Sequence, residues 1–439
     1  MNRRHFLIGP AAGWMARAAR PNVVFVLADQ WRAQTLPSSG DRQLQAPNLA
    51  RLATGGVHFD RVYAAYPLCA PSRAAMLTGK YPHACGVTGN TTRLRESEPS
   101  LARSLNAAGY ATAYIGKWDL DGDSRPGFVP PGPRRHGFGY WAAFNRGHRY
   151  FDSIYFRDDP TPIRMKGFEP DYQTALAVEF IKQNRQSPFF LYLSWGPPHT
   201  PRTPPDSVKG LYHPRQFALR ENVPLEYEEK ARIEYAAYYG LCTALDRCLG
   251  ILLKAIDAEG LAENTIVVFT ADHGDMLGSQ ALEYKNQPYE ESARVPLLVR
   301  YPKALPRGTR SDLLFSNVDL MPTLLGLCGA EIPNGVQGRN LAALWRGEKG
   351  ARPESILAEG KMESEEEWRM IVRGLDKMVI DRNGDVTHLY NLGQDPFEMN
   401  NNAASPGHRR TRDELTALLA DLRRRALDGR TGSGLRTRG

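Results

Sequence analysis

Cysteine is scarce in this sequence: five residues in 439 (Cys69, Cys85, Cys242, Cys248 and Cys328), odd in number and with no Cys-x-x-Cys pair. That pattern excludes a disulfide scaffold and a framework of paired zinc cysteines. No apolar run approaches the roughly 20 residues needed to cross a bilayer, so no membrane span is expected. No internal repeat is present. The net charge of +8 suggests an acidic partner until it is localised. Residues 1–20 carry +4 and residues 403–439 carry +5, which leaves −1 over residues 21–402. A body so balanced offers no basic face, and a nucleic-acid partner is excluded.

The chain opens "MNRRHFLIGPAAGWMARAARPNVV". Paired Arg3-Arg4, the apolar Phe6-Leu7-Ile8 and small residues at Ala16, Ala18 and Ala19 stand in the order of a twin-arginine export signal, so residues 1–19 are expected to direct export to the periplasm or beyond. A frayed basic start is the plainer reading.

After Pro21, short apolar runs rich in β-branched and aromatic residues read as buried parallel strands: "NVVFVLA" (22–28), "YATAYIG" (110–116), "PFFLYLSW" (188–195), "NTIVVFTA" (264–271) and "VPLLVRY" (295–301). Helical patterns lie between them at 99–109, with Ser100 as cap and Gly109 as stop, at 172–183 and at 232–256. Cys242 and Cys248 ride on the last of these as core residues. The alternation predicts an α/β fold, a large, mostly parallel sheet sandwiched by helices. From about residue 350 the texture becomes short strands with an Asn383-Gly384 hairpin turn, then a helix over 411–427 opened by a Thr411/Glu414 capping box. The expected division is a catalytic domain at 21–348, a small α+β subdomain at 349–427 and a disordered tail at 428–439.

In such a sheet, ligands bind beyond the carboxyl ends of the strands. Four predicted strands are followed there by chemically capable residues: Asp29-Gln30, Lys117, His199 and Asp272-His273. Two acceptor pairs make a cage for a divalent cation, Ca2+, Mg2+ or Mn2+. Lys117, Lys285 and Arg73 would surround an anionic group, and His199 would donate a proton. Such a site suits metal-assisted cleavage of an anionic ester.

One segment, "PLCAPSRAAMLTG" (67–79), stays ambiguous on its residues alone. Cys69 there could be a small buried hydrophobe, Pro71 and Ser72 helix-start chemistry, or Cys69 a thiolate activated by Arg73. Its "CAPSR…LTG" resembles the signature of the type I sulfatases, of the alkaline phosphatase superfamily, in which the cysteine of C-x-P-S-R becomes formylglycine. Further landmarks follow in family order: "VLADQ", "GKW" (116–118), "PPH" (197–199), "ADHGD" (271–275), "YKNQPYEESARVP" (284–296), "VDLMPTLL" (318–325) and "LYNLGQDPFEMNN" (389–401). The resemblance implies that Cys69 is oxidised to an aldehyde by a formylglycine-generating enzyme, and that its hydrate attacks sulfur. The second hydroxyl of that hydrate can then expel sulfate. It also implies that Asp29, Gln30, Asp272, His273 and residue 69 bind the cation, that Arg73 holds the modified residue, that Lys117 and Lys285 clamp sulfate, and that His199 protonates the leaving alcohol. The Asp-Gln and Asp-His pairs also occur in choline sulfatase and in phosphonate monoester hydrolases.

The sequence departs from that pattern at one place. The family usually reads G-K-W-H, and here Asp119 stands where the histidine serves as base. A carboxylate in contact with sulfate would be repelled by about 4 kcal/mol at an effective dielectric of about 20. The favoured arrangement turns Asp119 away, toward Arg125 or an arginine of 134–149, with His148 contacting the anion. In the alternative it stays as base, its charge offset by the cation and the two lysines. The stretch 134–156 mixes aromatics with Arg146, His148 and Arg149, suited to a sugar and its anions or to a structural insertion. His148, Arg149 and Trp118 are the substrate-binding candidates. The form of this stretch is similar to glycan sulfatases, among them those acting on N-acetylglucosamine 6-sulfate. Three readings remain open: a glycan sulfatase, a phosphonate monoester or phosphodiester hydrolase, and a non-catalytic binder of sulfated glycans.

Overall fold

The structure, a computed structural model, describes residues 20–427. The expected export signal at 1–19 and the expected tail at 428–439 lie outside the described residues.

The apolar runs form the centre of an eight-stranded sheet. β1 (Asn22–Asp29) is buried along its whole length, as a strand covered on both faces must be. The others are β2 (Val57–Tyr63), β3 (Ala111–Lys117), β4 (Tyr140–Phe144), β7 (Phe189–Pro198), β8 (Thr265–Ala271), β9 (Leu297–Arg300) and β10 (Thr309–Ser316), with a small ribbon of β5 (Ile154–Tyr155) and β6 (Ile163–Arg164) apart. Their order is β10-β2-β9-β8-β1-β7-β3-β4. Helices Pro47–Thr54, Glu169–Gln183 and Glu228–Ala258 pack together on one face. Cys69–Thr78, Leu101–Ala107 and Leu320–Cys328 form a second group on the other. Ser100 caps its helix by accepting from the Ala102 N–H, and Cys242 and Cys248 are buried core residues as expected.

Two strand expectations need correction. The run at 295–301 pairs antiparallel with both neighbours rather than parallel. A continuous apolar run reports burial on both faces and not direction. The connection from β8 carries just two short helical turns, Ser279–Ala281 and Glu290–Ala293, whereas a parallel neighbour is usually joined through a full crossover helix. Secondly, β2, β4 and β10 lie outside the five runs. β4 and β10 are edges, the first half of β10 is largely exposed, and Asp60 and Arg61 interrupt β2, so none presents a clean apolar run.

A second, antiparallel sheet follows, of β11 (Ser355–Gly360), β12 (Trp368–Arg373), β13 (Asp376–Asp381) and β14 (Val386–Asn391). Its period-two pattern sends Leu357, Ile371, Met378 and Leu389 to one face, against Leu415 and Leu419 of the helix Arg409–Leu427. Ile356, Ala358, Met370 and Val379 face the other way, against Tyr63 and Leu314 of the large sheet and Ala293 of the one-turn helix Glu290–Ala293. The hairpin at Asn383-Gly384 is present, with Gly384 at φ 92°. The capping box is not: the helix begins at Arg409, which places Thr411 inside it, and Glu414 pairs with Arg410 and Arg373. Among the described residues no helix is long and apolar enough to cross a membrane.

Candidate active site

The four neighbouring strands β8, β1, β7 and β3 run parallel, so their carboxyl ends meet along one edge. Asp29 and Lys117 are the last residues of β1 and β3, Asp272-His273 follow β8 directly, and His199 follows β7. Four loops separated by up to 240 residues in sequence thereby converge on Cys69. The helix over 69–78 starts at Cys69 itself, so Pro71 lies in its first turn, where a missing N–H costs nothing, rather than at its first position. Gly79 at φ 65° closes the helix. The Ser72 hydroxyl donates to the Asp272 carbonyl at 2.5 Å and pins the turn to the end of β8.

Cys69 is buried, its Sγ 3.3 Å from His273 Nε2 and 3.8 Å from Asp29 Oδ1. Burial and Asp29 push its thiol upward, but Lys117, Lys285 and His273 together bring it well below its ordinary value. Asp29 accepts from Lys117 Nζ at 2.5 Å and from Arg73 at 3.2 Å. Although burial opposes it, Lys117, His199, Arg73 and Lys285 hold that carboxyl far below the usual range. Lys117 is wholly buried; the Asp119 and Asp29 charges outweigh burial and keep it protonated.

The donor set fits a divalent cation. Asp29, Cys69, Asp272 and His273 offer ligand atoms that all lie within 4.8 Å of one another. His273 Nδ1 faces the Gly274 carbonyl at 3.0 Å, which directs the Nε2 lone pair inward, 3.6 Å from a carboxylate oxygen of both Asp29 and Asp272. Gln30, at φ 69°, gives its Nε2 to Asp275 at 2.6 Å, and its Oε1 accepts from Lys285 at 2.6 Å. Two carboxylates, an imidazole and an amide oxygen suit Ca2+, Mg2+ or Mn2+.

Several expected residues stand elsewhere than the sequence suggests. Arg73 bonds Asp272 at 3.0 Å, Asp29, the Lys117 carbonyl at 2.9 Å and Ser194 Oγ at 2.7 Å, instead of Cys69. It fixes the carboxylates of Asp29 and Asp272, as a planar guanidinium between two carboxylates does. Asp119 does not turn away. At φ 63° it pairs with Lys117 at 3.0 Å, while Arg125 and Arg146 both take Asp123 and Arg134 takes Asp121. Trp118 is no substrate contact: it is buried edge-on to Tyr114 and Trp141, a core residue whose neighbours on the motif misled. His199 donates from Nδ1 to the Thr200 carbonyl at 2.7 Å, leaving Nε2 free. His148 stacks on its ring, centroids 3.8 Å apart and 7° between planes. Arg149 is exposed beside it.

Asp275, Ser194 and Ser72 position the site and were not among the candidates. Asp275 stands inside the "ADHGD" motif, which could have pointed to it. Ser194 carries no sequence signal beyond its strand.

The sulfatase family model matches residues 21–330, and a model described as N-sulphoglucosamine sulphohydrolase, C-terminal, matches 280–425. An ulvan-active sulfatase of Formosa agariphila is 37% identical over 332 residues, 74% of this chain and 65% of that protein, so the chain spans just under two thirds of that relative. An endo-4-O-sulfatase of Bacteroides thetaiotaomicron is 33% identical over 397 residues, 78% of this chain and 76% of its own. A protein solved in complex with its substrate D-glucosamine-2-N,6-O-disulfate superposes with a TM-score of 0.84 at 25% identity, over 93% of this chain and 98% of that one. With the C-x-P-S-R helix, the two acceptor pairs and the lysines gathered on one sheet edge, the chain belongs to the sulfatase family of the alkaline phosphatase superfamily.

Proposed function

We propose that the protein hydrolyses a sulfate monoester of a carbohydrate, with the aldehyde made from Cys69 as its working group and a divalent cation beside it. The observation that carries this reading is the position of Cys69, at the first turn of a buried helix, with Asp29, Asp272 and His273 within ligand distance of one another around it. Hydrated, the aldehyde supplies a nucleophilic hydroxyl and a second hydroxyl that a serine lacks. Asp29, Gln30, Asp272 and His273 would hold the cation, which would supply the positive charge that polarises sulfuryl oxygens and makes the nucleophile more acidic.

The chain's own residues do the rest. Lys117 and Lys285 present ammonium groups to the sulfate, and Arg73 keeps both carboxylates aimed inward. His199, anchored through Nδ1, is the group that gives a proton to the leaving alkoxide, through Nε2. Asp119, with Oδ1 buried and free of hydrogen bonds, accepts the proton that must leave before sulfate departs. Its pair with Lys117 offsets the repulsion that a bare carboxylate would exert.

A carbohydrate substrate is supported by the relatives' activities on glycans and by the disulfated glucosamine bound to the structural neighbour; an amino-sugar 6-sulfate is the finer form of this reading. Export before use and maturation by a formylglycine-generating enzyme belong to the same proposal. Initial rates on sulfated mono- and disaccharides, run beside an aryl phosphonate, test it. Sulfate release well above phosphonate cleavage is expected; the reverse ratio would make it a phosphonate hydrolase.

A further inference from the structure

Asp29, Lys117, Cys69 and Asp272 are all buried, so the alcohol half of a substrate must extend past the imidazole of His199. The ring of His148 lies flat against that imidazole and also lines a cavity of about 600 Å³. His148 thus borders both the proton donor and this cavity, which stand one ring apart. The cavity's size suits a ligand larger than one sugar ring.

The walls combine apolar surface from Pro126, Phe144 and Ile154 with an excess of guanidinium groups. Arg125 and Arg146 share a single carboxylate, Asp123. Arg149 and Arg164 are exposed and have no carboxylate partner among the described residues; Arg149 gives only its Nε, to the Phe151 carbonyl at 3.1 Å, and keeps its terminal nitrogens. The acids of the lining do not match them. Glu169 is buried and accepts from Ser153 at 2.6 Å, and burial holds its carboxyl up at about 7. Asp152 is turned to the Gly167 N–H at 3.1 Å.

We propose that this cavity is the leaving-group subsite and selects a saccharide with a second anion, a carboxylate or a sulfate on the ring adjoining the cleaved ester, held by Arg149 and Arg164. The proposal rests on the sulfatase reading and names its substrate class: an acidic oligosaccharide rather than a singly sulfated sugar.

Three disaccharides with the same scissile sulfate test it, the adjoining ring bearing a carboxylate, a second sulfate or neither. kcat/KM is expected to be at least about tenfold higher for either dianionic sugar, the larger of the two gains showing which anion the cavity prefers. The preference should shrink with added salt and fall by about tenfold in Arg149→Gln/Arg164→Gln. Equal rates on all three, or a preference untouched by the double substitution, would overturn the subsite. Calorimetric binding of the same sugars to Cys69→Ala separates the two layers. Anion-selective binding without turnover by aldehyde-bearing protein would keep the subsite and defeat the hydrolase reading. Turnover without anion selectivity would do the opposite.

Discussion

Asp119 stands where the sulfatase resemblance leads one to expect a histidine, and the structure gives it one oxygen paired with Lys117 and one without a hydrogen bond. Oδ2 lies 3.0 Å from Lys117 Nζ, while Oδ1 is buried with no donor. As the proposed base, that oxygen would supply the roughly 10²–10⁴-fold of general-base catalysis. Asp119→Asn is accordingly expected to lower kcat by about 100-fold while sulfated protein accumulates, visible as a mass increase on the peptide Val62–Arg73. A shift in KM alone, with no accumulation, would reduce Asp119 to a partner of Lys117. Glu169 gives a second expectation at this scale. Burial raises its carboxyl from 4.5 to about 7, so between those values the unfolded chain releases its proton first. Stability is complete below about pH 4.5 and is lost as pH rises through 7, by about 3 kcal/mol. Glu169→Gln has no proton to lose, and urea unfolding at about pH 4 and about pH 8 should show that loss in the wild type and not in the variant. Parallel pH profiles would contradict it.

At the scale of elements, the site is a product of sheet order. Asp29, Lys117 and Asp272 were legible because each directly follows an apolar run, and His199 because it comes four positions after one; parallel strands leave such ends on one edge. What stayed hidden has a shared cause. Strand direction, the edge strands and the hand-over of Arg73 from Cys69 to the carboxylates all depend on which segments become neighbours, which local periodicity does not encode. Trp118 shows the same limit: it shares a motif with Lys117, yet its side chain goes to the core. The loop after β8 also needs a close approach. A Cβ on Gly274 would lie 1.9 Å from the Glu291 carbonyl oxygen, between His273 and Asp275. Gly274→Ala must push that contact apart, and a loss of about 3 kcal/mol is expected in chemical denaturation. A loss below about 1 kcal/mol would show that the loop relaxes at no cost to the site.

Across the whole molecule, the small antiparallel sheet buttresses the reaction centre. The Glu359 N–H of β11 donates to the Ala65 carbonyl at 2.8 Å, just before the Cys69 helix, and Trp368 Nε1 reaches the Asn286 carbonyl beside Lys285 at 3.4 Å. Lys377 of β13, fully buried, ties the two parts through Glu398 at 2.7 Å and Glu290 at 3.2 Å. Removing its charge leaves the buried Glu398 without its ion-pair partner, while Glu290 keeps Arg294 at 2.8 Å, so Lys377→Met should cost about 3–5 kcal/mol in urea unfolding; a neutral substitution would mean the two sheets are not coupled through it. The central claim, catalysis by an aldehyde at position 69, is tested most directly by one titration of the intact protein. Preparations made with graded amounts of a formylglycine-generating enzyme are assayed on an aryl sulfate, and the aldehyde fraction of the Val62–Arg73 peptide is read by mass spectrometry. The account predicts a turnover rate proportional to that fraction and extrapolating to zero; a substantial rate in protein carrying only the unmodified cysteine would contradict it.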